Sequence, residues 1–283
     1  MRLAQLVESL RLLSLLLLPS RRCQPEKIYD ILSDHNNLAE HSLYLNLGYW
    51  KSASSYDAAC ESLAELLGEY AQLQPGDRVL DVGSGFGDAD NYWLHRFGLS
   101  SITAINLTRS QARTARQRFC DERLRIICGN ALALPFDAAA FNKLLVLESA
   151  FHFEPRDIFF NEAARVLEPR GRLTLADVVI RYSPSGVIAN WIAKRGRALW
   201  QTPECNLYGR ETYVAKLKTA GFEDINVVSI AAHVFAPFKK FARRRVLDEE
   251  VRRRVHPLLR KIWASSHGGL DSLDYLVISA TRK

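Results

Sequence analysis

The chain has 283 residues, 48% of them hydrophobic, which is enough for one large core and favours one elaborated domain over two. Its 38 Lys and Arg against 31 Asp and Glu give a net charge of +7, and the stretch Lys239 to Lys261, with ten basic and three acidic residues, holds that whole surplus. The rest is near neutral, which excludes the broadly basic surface of a nucleic-acid-binding protein.

Leu10 to Leu18 reads LRLLSLLLL and is closed by Pro19 and Ser20. Arg11 interrupts it, it falls short of the roughly 20 apolar residues a membrane crossing needs, and no A-x-A-type site precedes Cys23. An amphipathic helix that packs on the domain or touches a membrane surface is expected. Five cysteines (Cys23, Cys60, Cys120, Cys128, Cys205) form no C-x-x-C pair and no metal spacing, so neither a disulfide framework nor a metal site is indicated. A cytoplasmic protein follows, with peripheral membrane contact through the leucine-rich start or the basic segment as a candidate.

Residues 1–70 are helical in texture and are expected to cap the domain that 71–283 forms. From residue 77 short β-rich runs alternate with helical segments: RVLDV (78–82), SITAIN (101–106), RLRII (123–127), NKLLVLE (142–148) and RLTLADVVI (172–180). Such alternation implies βαβ units and a mainly parallel sheet covered on both faces. A helix over 210–220, a strand over DINVVSIAAHVF and a last strand DYLVISATR (274–282) complete the pattern. Insertions at 181–208 and 236–268 are expected to roof a pocket. The second contains Val246, Leu247, Val251, Val255, Leu258 and Ile262 at helical spacing among arginines, with Pro257 as a break or kink.

In RVLDVGSGFGDAD a buried strand ends at Asp81 and runs into Gly83, Gly85 and Gly87, which allow a tight turn and close approach to a ligand. A dinucleotide site wants G-x-G-x-x-G, and here the third glycine comes one place early. Asp88 and Asp90 in the first helical turn would repel a pyrophosphate but attract the sulfonium and ammonium of S-adenosylmethionine. Strand two ends in Asn106 where a nucleotide-ribose site would carry an acid, although Asn also bonds a hydroxyl. Asn130 in GNALALPF is placed to bond an adenine amino group, and Ala131 to offer its backbone.

Residues 77–180 resemble a class I S-adenosylmethionine-dependent methyltransferase through DVGSGFG, GNALALPF and ARVLEPRGRLTLAD. NLGYW (46–50) and LESAFHF (147–153) are similar to the natural-product branch that includes macrolide and indolocarbazole sugar O-methyltransferases. The resemblance implies an α/β Rossmann-like fold, a seven-stranded mostly parallel sheet with an antiparallel last strand, helical cap and lid insertions. It implies S-adenosyl-L-methionine as cofactor, held by Tyr49, Trp50, Asp81, Gly83, Gly85, Gly87, Asn106, Leu107, Gln111, Asn130, Ala131 and Glu148. Tyr49 and Trp50 close over it, and Gln111 lies near its ribose edge. The sequence departs from the pattern at Asn106 and Asn130, where acids are more usual.

Methyl transfer from sulfonium is an in-line displacement, and a base is needed only where the nucleophile must lose a proton. His152 follows the fourth strand and Asp177 ends the fifth, so both belong at the ligand-binding edge, where a carboxylate-oriented His suits a hydroxyl acceptor. Related enzymes place their His one residue earlier, at Phe151 here. Glu148 is the other polar group facing the methyl donor. Phe151, Phe153, Phe159, Phe160, Trp191, Trp200 and Tyr208 suggest an apolar small-molecule acceptor, with core packing the plainer reading of Phe159 and Phe160. Alternatives are C-methylation of a prenyl diphosphate or lipid, gripped by insertion arginines, and a membrane-associated relative without activity.

Overall fold

A computed structural model describes residues 25–33, 35–181, 201–265 and 270–283. The leucine-rich start, Cys23, Trp191 and Trp200 lie outside the described residues. Seven strands form one sheet: β1 (Arg78–Val82), β2 (Ser101–Asn106), β3 (Leu124–Cys128), β4 (Phe141–Leu147), β5 (Leu167–Ile180), β6 (Phe222–Ser229) and β7 (Leu273–Arg282). Their order is β3-β2-β1-β4-β5-β7-β6. Strands β1 to β5 run parallel, and β7 is antiparallel to both neighbours.

Continuous apolar runs make these strands because both sheet faces are covered. Leu144, Leu145 and Val146 of β4 are all fully buried. One face packs on α2 (Tyr56–Ala71) and α3 (Asp88–Arg96) through Leu63, Leu67 and Trp93. The other packs on α5 (Arg156–Val166) and α6 (Arg210–Thr219) through Phe159, Phe160 and Tyr213, so the two α5 phenylalanines are core. Helix α4 (Arg109–Arg118) covers β2 and β3. The strand order reverses at the boundary between β1 and β4, and the crevice beyond their carboxyl ends is where an open α/β sheet binds its ligand.

The strand read over DINVVSIAAHVF stops at Ser229; a single turn at Ala231–His233 leads into α7 (Phe235–Arg245). The basic segment then forms two further helices, α8 (Glu249–Arg254) and α9 (Pro257–Ser265). Pro257 opens α9, the first-turn position where its missing N–H costs nothing. Val246, Val251, Val255 and Leu259 pack on Ile31 of α1 (Pro25–Ile31) and on Leu38, while Leu247 is 72% exposed. Two of the arginines clasp the segment His35–Ala39 that follows α1. Arg245 donates to the carbonyls of Leu38 and Ala39, each at 3.2 Å, and Arg254 donates to His35 O at 3.0 Å and Ala39 O at 2.8 Å.

Candidate active site

A cavity of about 440 Å³ opens over the β1–β4 crevice. Its floor is the glycine turn after β1, and its walls are the ends of β2, β3 and β4, the segment Leu43–Asn46 and helix α1.

The turn is built by backbone. Gly83 and Ser84 both donate to the Ile105 carbonyl, at 2.7 and 3.3 Å, which bends β1 onto β2. Gly83 has φ +91, and a Cβ there would lie 2.4 Å from Ser149, whose hydroxyl donates to Val82 O at 2.7 Å. Gly85, φ +57, lines the cavity, and a Cβ on it would meet nothing within 4 Å. Asn106 Nδ2 donates to Gly85 O at 3.1 Å and to Gln111 Oε1 at 2.9 Å, so the residue standing where an acid is more usual ties the turn to α4.

Three buried polar atoms on this wall lack protein partners: Asp81 Oδ1, Ser84 Oγ and Gln111 Nε2. Two acceptor-capable oxygens and an amide donor beside an open glycine suit a ligand that presents both a cationic amine and hydroxyls, as S-adenosylmethionine does. Leu107 (45% exposed), Asn130 and Ala131 also line the cavity. Asn130 Oδ1 accepts from Leu132 N–H at 2.9 Å, so the oxygen expected at an adenine amino group already serves the local turn.

The acid pattern differs from its sequence reading. Asp88 does not stand as an unpaired charge: Arg118 grips it with bonds of 2.6 and 2.7 Å, and Leu43 N–H donates to it at 3.1 Å. Asp90 is wholly buried beside Asp81; burial and that neighbour push its carboxyl far above the carboxylate range. Burial brings Asp81 up to about 7, with the hydrogen bond to Asp90 pulling against it. Asp90 therefore stays protonated, and Asp81 is the member of the pair that ionises, close to neutral pH.

Tyr49 and Trp50 do not close over the cavity. Tyr49 N–H donates to Ala59 O at 2.7 Å and Trp50 N–H to His233 O at 2.8 Å, which turns both rings away. Tyr49 meets His233 edge-on at 5.6 Å, and Trp50 packs on Phe241 at 5.3 Å. The residues just before them, Tyr44 to Asn46, line the cavity instead.

Glu148 follows β4 with φ +49 and lines the cavity. Its Oε1 accepts from Leu47 N–H at 2.8 Å and from Tyr275 OH at 2.6 Å, fastening the NLGYW segment to β7. Burial raises its carboxyl to about 7, and these two bonds pull it down.

His152 also lines the cavity, but it forms no dyad with Asp177. Its Nδ1 lies 3.2 Å from the Gln201 carbonyl and its Nε2 lies 2.8 Å from the Tyr29 hydroxyl. Burial lowers its pKa to about 4, and the Arg156 charge adds to that, so the imidazole is neutral. Asp177 is wholly buried away from the cavity, where Oδ2 lies 3.3 Å from Arg156 Nε and accepts from Tyr213 OH at 2.9 Å. Its influence on His152 passes through the turn Ala150–His152: Arg156 Nε donates to Ala150 O at 3.2 Å, and Asn206 Nδ2 to the carbonyls of Phe151 and Phe153 at 3.3 and 2.6 Å. Phe153 lines the cavity, whereas Phe151 is core and Tyr208 stacks under Arg156 at 4.9 Å. Tyr29, Gln201 and Asn206 are the residues that sequence reasoning missed. Each left only a coarse trace there, Tyr29 as part of the helical cap and Gln201 and Asn206 within the 181–208 insertion.

Residues 80–175 match the family model described as a methyltransferase domain. The chain is 34% identical over 270 residues to erythromycin 3''-O-methyltransferase of Saccharopolyspora erythraea, covering 90% of this chain and 88% of that one. Among solved structures, the [4+2]-cyclase SpnF superposes with a TM-score of 0.73 at 23% identity, over 92% of this chain and 95% of the other. Geranyl diphosphate C-methyltransferase from Streptomyces coelicolor, in complex with S-adenosyl-L-homocysteine, gives 0.68 at 21% identity, over 92% and 99%. The chain belongs to the class I S-adenosylmethionine-dependent methyltransferases, in the branch of the natural-product O-methyltransferases. It is an S-adenosylmethionine-dependent enzyme acting on a small molecule.

Proposed function

We infer that the enzyme methylates a hydroxyl oxygen of a polyketide-type natural product or its glycoside, with His152 as general base. The observation that carries this reading is the neutral His152 in the cavity wall, its Nδ1 fixed by a carbonyl and its Nε2 left as the basic nitrogen. When bound, S-adenosylmethionine supplies a methyl carbon activated by sulfonium for attack by an oxygen nucleophile. His152 takes the hydroxyl proton on Nε2, and Glu148 holds the Leu47 segment and β7 around the methyl donor. The relative that acts on erythromycin supports a hydroxylated acceptor. Against a prenyl diphosphate, no Lys or Arg lines the cavity among the described residues.

The test is methyl transfer to a macrolide glycoside with free sugar hydroxyls, to a phenol and to geranyl diphosphate, with products read by mass spectrometry and NMR. An O-methyl ether is expected, and His152→Ala should lower kcat about 10²- to 10⁴-fold while cofactor affinity holds. A C-methyl product, or full turnover without His152, sinks the reading.

In the same reading residues 1–70 cap the domain formed by 71–283, because the base and Glu148 both bond to them. The exposed Leu247, in a segment whose Arg243, Arg244, Arg252 and Arg253 are also exposed, supports contact between the basic segment and an anionic surface. Co-sedimentation with phosphatidylserine vesicles, lost on Leu247→Asp, would bear this out; equal sedimentation of both proteins would discard it. No helix among the described residues is long and apolar enough to cross a membrane.

A further inference from the structure

The lone pair of the base is already in use. The Gln201 carbonyl can only accept, so the proton of the neutral imidazole sits on Nδ1 and Nε2 is the acceptor. The Tyr29 hydroxyl, 2.8 Å from Nε2, is therefore the donor in that bond. An imidazole nitrogen has one in-plane lone pair, so Nε2 cannot accept from Tyr29 and from an incoming hydroxyl at once. The Tyr29 ring stands edge-on to the imidazole at 5.3 Å, and Tyr29 lines the cavity from α1.

We propose that Tyr29 is a placeholder for the substrate: its hydroxyl sits where the acceptor oxygen will sit, and a hydroxylated acceptor engages His152 by displacing it. This rests on His152 being the base and makes Tyr29 a positioning residue. The hydroxyl oxygen of Tyr29 already meets the distance a proton donor to this base requires, about 2.6–3.2 Å. Relay through Tyr29 is disfavoured, because burial and the Glu148 carboxylate both raise the proton affinity of the phenol. Helix α1 is held outside the cavity by two contacts: Ser110 Oγ donates to Asp30 at 2.6 Å on the exposed side, and Ile28 and Ile31 rest on the apolar cluster of α7 to α9. In the resting enzyme the bond keeps water off the base. It also makes entry selective for an acceptor that replaces both the hydroxyl and the ring behind it.

Tyr29→Phe keeps the ring and removes the donor. The full chain with S-adenosylhomocysteine is treated with diethyl pyrocarbonate, which acylates accessible unprotonated imidazole, and modification of His152 is followed by peptide mass spectrometry. The exposed His41 and His233 serve as internal standards. His152 is expected to react about tenfold faster in Tyr29→Phe, with the standards unmoved. Asp30→Ala, which releases α1 from Ser110 outside the cavity, is the second variant and should accelerate modification in the same direction. Wild-type rates in both variants overturn the proposal.

Displacement is read from kinetics with the macrolide glycoside as acceptor. Tyr29→Phe should lower its KM about three- to tenfold with kcat within about twofold. A tenfold loss of kcat at unchanged KM overturns the placeholder role and makes Tyr29 part of proton transfer. If instead His152→Ala keeps full turnover, the base reading falls, while the modification rates still report the Tyr29–His152 bond; the two failures are thus distinct.

Discussion

The wall beneath the glycine turn and the wall beneath His152 are held by different forces. At the turn, Gly83 and Ser84 donate to one carbonyl, Asn106 bridges the turn to α4, and the parts lie within 30 residues of one another. Beneath His152, a fully buried ion pair between Arg156 and Asp177 is joined by Tyr213 from α6 and Asn206 from the segment before it. Backbone bonds of the first kind fail one at a time. A buried charge network fails together, because each partner removed strands another in a low-dielectric interior.

The largest effect should come from the charged wall. Asp177→Ala leaves the Arg156 guanidinium buried without its counterion and should cost about 3–5 kcal/mol of stability, read by chemical denaturation. Turnover should fall with the folded fraction and regain its value when the protein is stabilised by cofactor, since Asp177 does not touch the base. A selective loss of turnover in fully folded Asp177→Ala would restore the dyad that the geometry denies.

The turn should be next. Gly83→Ala combines a left-handed φ with a contact of 2.4 Å to Ser149 and should cost about 2–3 kcal/mol by thermal melting. Gly85→Ala meets only open space, so its stability cost should stay near 1 kcal/mol, while its Cβ intrudes on the cavity and weakens cofactor binding in calorimetry. Equal effects on stability would mean that the turn is held by conformation alone and not by the approach of β1 to β4.

These contrasts explain what could be read in the sequence. Strands and the glycine turn were legible because their signals are local: RVLDV and SITAIN match β1 and β2 residue for residue. The family motifs likewise brought Asp81, Gly85, Gln111 and Glu148 to one cavity. The partner of His152 was not legible, since Tyr29, Gln201 and Asn206 lie 49 to 123 residues away or on a turn with no motif. Spacing suggested a carboxylate at Asp177, but alternation along β5 and the fully buried Arg156 turned that side chain into the core. Tyr49 and Trp50 failed for a related reason: a motif fixes the backbone path, whereas neighbouring aromatics of α2 and α7 decide where its rings go.

Burial raises both Asp81 and Glu148 to about 7 in the folded chain, above the carboxylate range of an unfolded one. The folded state therefore binds more protons between about pH 4 and 7, and stability without cofactor should decline as pH rises through that window and level off above it. A cationic ligand favours the ionised carboxylates, so S-adenosylmethionine affinity should increase from pH 6 to 8, several-fold in calorimetry. Asp81→Asn should flatten that rise. An affinity independent of pH would show that neither carboxyl faces the ligand's charge.

The smallest effect is expected where the sequence departs from its family. Asn106→Asp removes the donors to Gly85 O and Gln111 Oε1 and sets a carboxylate against two oxygens. Gln111 can turn its amide so that Nε2, now buried without a partner, donates to the new carboxylate. One lost bond and one replaced bond should leave a stability change of about 1 kcal/mol in denaturant melts. A cost above about 3 kcal/mol would mean that Gln111 cannot turn and that Asn106 is fixed by the local network. A cost near zero, with tighter cofactor binding, would make Asn106 a replaceable donor on a wall that already fits an acid.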